Sequence, residues 1–132
     1  MITLAITNKT QLINANSREH HMVRAKKTKA LRSLAKTAAE GLPPFTNHVW
    51  VRVYIDWSPL TRRRDAANLA PTLKACVDGF TDAGLWVDDD DEHVTGPHAY
   101  ASRVKADRGQ TRLRFEFTEY PSRADVPGAT NN

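Results

Sequence analysis

Cysteine is almost missing from this chain. Cys76 is the only one in 132 residues, so no disulfide can form within the chain and no zinc site can rest on a cysteine cluster. Long apolar runs are also absent: nothing approaches the roughly 18 to 20 residues that cross a bilayer. The opening MITLAITNKT lacks the charged start and apolar stretch of a secretion signal. Together these gaps predict a cytoplasmic protein with no membrane partner. There is no Gly-rich phosphate loop and no Ser-His-Asp spacing. His20, His21, His48, His93 and His98 have no metal-ligand spacing and are expected as ordinary surface or core histidines.

What is present is charge, unevenly placed. The composition, 40% hydrophobic and 26% charged, suits one soluble globular domain with a net charge of +4. Between Arg18 and Lys36 lie Arg18, Arg24, Lys26, Lys27, Lys29, Arg32 and Lys36, with Glu19 as the lone acid. A second basic set is Arg62, Arg63 and Arg64; a third is Arg103, Lys105, Arg108, Arg112 and Arg114. The acids gather at 78–92 instead. A basic body around an acidic pocket is what a metal-dependent nuclease needs, since the cations hold phosphates and the carboxylates hold a metal ion. A nucleic-acid-binding domain with a solvated acidic loop has the same composition.

Along the chain, residues 2–6 read as a short strand. Asn16 or Ser17 can cap a helix running to about Ala39, with Met22, Ala25, Leu31, Leu34, Ala35 and Ala38 as a thin apolar stripe. Gly41, Pro43 and Pro44 stop it. HVWVRVYID alternates as a strand: Val49, Val51, Val53 and Ile55 face one way, Trp50, Arg52, Tyr54 and Asp56 the other. Trp50 and Tyr54 either cover the sheet or stack on bases. A second helix opens near Asn68, tolerates Pro71 in its first turn, buries Leu69, Leu73, Cys76, Val77 and Phe80, and ends at Gly84. Cys76 is expected to be buried and inert. Residues 97–106 and 111–119 read as a hairpin around DRGQ. Residues 121–132 read as a disordered polar tail after a domain spanning 1–120. The order β-α-β-α-β-β predicts an α/β fold, a small single-domain mixed sheet with two helices packed on it.

Chemistry concentrates in the central third. Asp65 sits where a loop enters the second helix, Lys74 and Asp78 share one helical face, and Asp88 and Asp89 follow the stop. Hard divalent cations take oxygen ligands, which several converging carboxylates supply. Each residue also has a plain structural role open to it: Asp65 as a helix cap, Lys74 and Asp78 as a surface pair, Asp88 to Asp91 as a solvated loop.

RRRDAANLAPTLKACVDGFTDAGLWVDDDDEHV resembles the central block of the RusA-type crossover junction endodeoxyribonucleases, the Holliday junction resolvases of phages and prophages. Their pattern is an arginine-rich loop, Asp-x-Asp-Asn-Leu, a lysine, an aspartate-bearing helix and a closing Asp-Asp pair. Asp65, Asn68, Leu69, Lys74, Asp78, Asp88 and Asp89 fall on it. LINANSREHHMVRAKKTKALR is similar to the N-terminal segment of phage members. The resemblance implies a homodimer that grips a four-way DNA junction and nicks two strands with Mg²⁺ or Mn²⁺. It implies Asp65, Lys74 and Asp89 as catalytic residues and Asp65, Asp78, Asp88 and Asp89 as metal ligands. Arg18, Arg24, Lys26, Lys27, Arg62, Arg63 and Arg64 would bind nucleic acid. The chain departs from the pattern twice. Ala67 stands where the family has its second aspartate, and three extra residues separate Asn68 from Lys74. Either Asp78, Asp88 or Asp90 replaces the missing carboxylate, or the chain is a weakened junction-binding protein.

Overall fold

A computed structural model describes residues 1–15, 18–59 and 66–128. It has the expected architecture, a four-stranded mixed sheet with two helices. The elements in chain order are β1 (Ile2–Thr7), α1 (His21–Ala39), β2 (His48–Asp56), a 3₁₀ turn (Ala66–Leu69), α2 (Ala70–Asp82), β3 (Val94–Ala101), β4 (Gln110–Tyr120) and a last 3₁₀ turn (Arg123–Asp125). No helix among the described residues is long and apolar enough to cross a membrane.

β2 is central because its apolar face is the most continuous. Val49, Val51, Val53 and Ile55 are fully buried under the helices. One edge pairs parallel with β3 through the α2 crossover, the other antiparallel with β4, giving the order β1-β4-β2-β3. This corrects the hairpin expected around DRGQ: β2 lies between the two strands. The chain leaving β3 is held along the end of β2 instead of doubling back. Ser102 N–H donates to Ile55 O, Ala106 N–H to Trp57 O and Gly109 N–H to the Ser58 hydroxyl, at 2.9, 2.9 and 3.1 Å. The alternating pattern of 111–119 was legible, but which strand it would pair with is non-local.

Helix α1 begins at His21, later than a cap at 16 or 17 would place it; those two positions lie outside the described residues. His20 Nδ1 accepts the Met22 N–H at 3.2 Å. Its buried stripe is Lys27, Leu31, Ala35 and Ala39, whereas Met22, Ala25 and Ala38 are exposed. The narrow i, i+4 line suits its setting, since α1 packs chiefly on α2. The two helices touch closely at Gly79, where an added Cβ would overlap the Arg32 carbonyl oxygen and lie 2.8 Å from the Ala35 Cβ.

Helix α2 matches its sequence pattern, with Leu69, Leu73, Cys76, Val77 and Phe80 buried and Gly84 beyond its end at φ +81°. Phe80 sits at the heart of the core, edge-on to Phe115, Phe117 and Trp86 at centroid distances of 4.9, 5.7 and 6.2 Å. Thr72, also fully buried, fastens the segment after β1: its hydroxyl donates to Ile13 O at 2.7 Å and accepts the Ile13 N–H at 2.9 Å. Of the polar tail, residues 121–128 are described, and Val126 among them is buried.

Candidate functional site

The acidic cluster and Lys74 meet beside α2. Lys74 and Asp78, four residues apart, project from the same side of the helix, and the segment after Gly84 brings Asp89 up to them. The Lys74 ammonium donates to Asp78 Oδ1 at 2.8 Å and to Asp89 Oδ2 at 3.0 Å. Those two hydrogen bonds raise the Lys74 pKa above its ordinary value. The hydrogen bond from Lys74 holds the Asp89 carboxyl below the usual range, against the upward push of burial. The lysine side chain is 65% exposed while both carboxylates are 26% exposed. An ion pair that open contributes only about 0–1 kcal/mol to folding. Its positional effect is the more important one: two half-buried carboxylates are aimed at one cation that solvent can reach.

The rest of the acidic run divides by task. Asp88 Oδ1 accepts the Asp89 N–H at 2.8 Å, which fixes the turn that presents Asp89. Asp90 is committed to the approach to β3, accepting from the Glu92 and His93 N–H groups at 3.1 and 3.2 Å and pairing with the His93 ring. All three contacts engage the same oxygen, Oδ1. Asp91 is exposed and 3.9 Å from Arg123. Asp65 and the triplet Arg62, Arg63 and Arg64 lie outside the described residues. Among the described residues, no group of three or more His, Cys, Asp or Glu side chains is placed to hold a metal ion.

The basic residues separate too. Arg18 and Lys26 are exposed and Arg24 is half-buried. Lys27 is not at the surface. Its ammonium donates to Glu19 at 2.6 Å and to Leu12 O at 3.2 Å, anchoring the chain ahead of α1, and is already committed there where a phosphate contact was expected. Arg32 pairs with Asp82 across the two helices. Lys26, Lys29 and Lys36 are exposed, Lys26 and Lys29 on the side of α1 away from its buried line and Lys36 beside α2.

Sequence reasoning named the outer face of β2 but not the partners it meets from β3 and β4. There Asp56, fully buried, accepts from Arg112 Nε at 2.7 Å and from Arg114 Nε and Nη2 at 2.9 and 3.0 Å. Arg114 lies over the Tyr54 ring, and Tyr54 stacks on Tyr100 with centroids 5.7 Å apart. Arg52 lies over Trp50, whose indole N–H donates to His98 Nδ1 at 2.9 Å. The alternation put Trp50, Arg52, Tyr54 and Asp56 on this face; their partners came from β3 and β4, whose pairing no local pattern reveals. Comparison with models of known protein families and with curated proteins finds no match.

Proposed function

We propose that this chain is a metal-dependent, structure-selective endodeoxyribonuclease acting on branched DNA, of the crossover junction type that its central block resembles. The observation that carries the proposal is the convergence of Asp78 and Asp89 on Lys74. Carboxylate oxygens gathered on one solvent-reachable cation are the donor chemistry that a hard divalent ion takes. Asp78 and Asp89, joined by Asp65, would hold Mg²⁺ or Mn²⁺, with Asp88 setting the turn that presents Asp89. The bound ion would neutralise phosphate charge and make its water a better nucleophile. Lys74 would leave the two carboxylates for the phosphate and stabilise the charge that develops there. Arg18, Arg24, Lys26, Lys29 and Lys36 would draw the DNA backbone in, a sequence-independent and salt-sensitive attraction. A homodimer would present two such sites for paired nicks.

A second reading has its own support. The Ala67 side chain has no ligating atom where the family pattern has a carboxylate. On that reading the chain binds junctions without cutting them. The test is cleavage of a labelled four-way DNA junction with and without Mg²⁺ or Mn²⁺, with Asp89→Asn run alongside. Metal-dependent paired nicking by the natural chain, with nicking lost and binding kept in Asp89→Asn, supports the nuclease. Tight binding with no nicking under either metal leaves only the binder.

A further inference from the structure

Beside Lys74 lies a cleft of about 610 Å³ between the start of α2 and the free edge of β3. We propose that it is a subsite for one nucleobase, splayed out of its strand so that its phosphate lies at Lys74. This inference rests on the nucleic-acid reading above and adds a residue-level substrate contact to it.

The cleft exists because one wall is made of short side chains. Ala66, Ala67 and Ala70 line it from the 3₁₀ turn and the first residue of α2. Its volume falls within the roughly 300–1,000 Å³ typical of small-ligand sites. The opposite wall is β3, an edge strand whose only partner among the described residues is β2. Ala99 faces the cleft from the helix side, and His98 and Tyr100 border it at the free edge, their rings lying on the outer face against Trp50 and Tyr54.

Tyr100 is a prepared platform. It is the outermost member of a row running from Arg114 through Tyr54, it stacks on Tyr54, and it remains 42% exposed. The carboxylate of Asp56 holds Arg114 at the far end of the row. An aromatic ring already ordered by its neighbours has little rotamer freedom left to lose when a base stacks on it. His98 adds a polar group. Its Nδ1 accepts from the Trp50 indole, so the ring in its neutral form carries its proton on Nε2. That N–H is a donor for the acceptor edge of a base. Lys74 lines the same cleft, so one nucleotide would meet an aromatic platform for its base and a cation for its phosphate.

The experiment is a cycle of base removal against cleft filling. Fluorescein-labelled four-way junctions, intact or carrying one abasic nucleotide at successive positions from the branch point, are titrated with the natural chain, Ala70→Phe and Tyr100→Ala, and read by anisotropy. Circular dichroism confirms that each variant is folded. The natural chain should bind one abasic junction about 5- to 150-fold more weakly than the intact one, the range of one base-aromatic stack. In both variants that penalty should disappear, because the filled cleft or the missing ring has already removed the contact. If the natural chain binds every abasic junction as tightly as the intact one, or the penalty survives in both variants, the subsite is overturned and the nucleic-acid reading stands. If no junction binds the natural chain at all, both fall together.

Discussion

Replacing Asp56 by asparagine tests the strongest polar feature of the fold. The carboxylate is fully buried and accepts three hydrogen bonds from Arg112 and Arg114. An amide of the same size keeps the shape, loses the charge and leaves two guanidinium groups facing each other. Breaking a fully buried pair costs about 3–5 kcal/mol. Here the arginine side chains are 32% and 29% exposed and keep some water. The expected loss is therefore smaller, about 2–4 kcal/mol near pH 7. For a domain of this size that corresponds to a fall in Tm of about 7–14 °C.

The sign with pH is also fixed. Burial alone would raise the Asp56 pKa, but hydrogen bonds from Arg114, Ser102 and Arg112 reverse this and hold it below its ordinary value. A carboxylate depressed in the folded state contributes stability that is complete above the unfolded pKa of about 3.9 and is lost as pH falls through the folded pKa. The difference between the natural chain and Asp56→Asn should thus narrow below about pH 4. Urea unfolding followed by tryptophan fluorescence at pH 7 and pH 3.5 measures it. A difference under about 0.5 kcal/mol at pH 7, or an equal difference at both pH values, would show that the Asp56 charge does not stabilise the fold. Because Asp56 steadies Arg114 beneath Tyr54, the variant should also soften the aromatic row that ends at Tyr100.

Gly79→Ala should destabilise by about 1–3 kcal/mol in thermal unfolding, because overlap with the Arg32 carbonyl outweighs the roughly 1 kcal/mol that alanine adds in a helix; an unchanged or raised Tm would show that the helices separate freely. Thr72→Val, nearly isosteric, should cost about 1–3 kcal/mol by leaving the Ile13 N–H and C=O without their partner, and hydrogen exchange at Ile13 should quicken. Cys76, buried with its pKa pushed up to about 12 by that burial, should resist iodoacetamide at pH 8 in the native protein and react once urea unfolds it.

Features that depend on near neighbours were legible in the sequence. The period-two alternation of 48–56 marked β2 and separated its apolar face from Trp50, Arg52, Tyr54 and Asp56. The helical period marked the buried side of α2, Gly84 marked its end, and the spacing of four put Lys74 beside Asp78. Features that depend on partners distant in the chain came only with folding. The alternation of 111–119 marks a strand, but only the burial of β2 inserts it between β1 and β2. Lys27 reads as one more surface cation until Glu19 and Leu12 close over it. Asp89 reaches Lys74 only because the chain turns back at Gly84, and Asp56 is buried only because two arginines from β4 cross to it. The cleft at Tyr100 is likewise a tertiary product: its walls come from elements about thirty residues apart, and a gap between elements leaves no periodic trace in either.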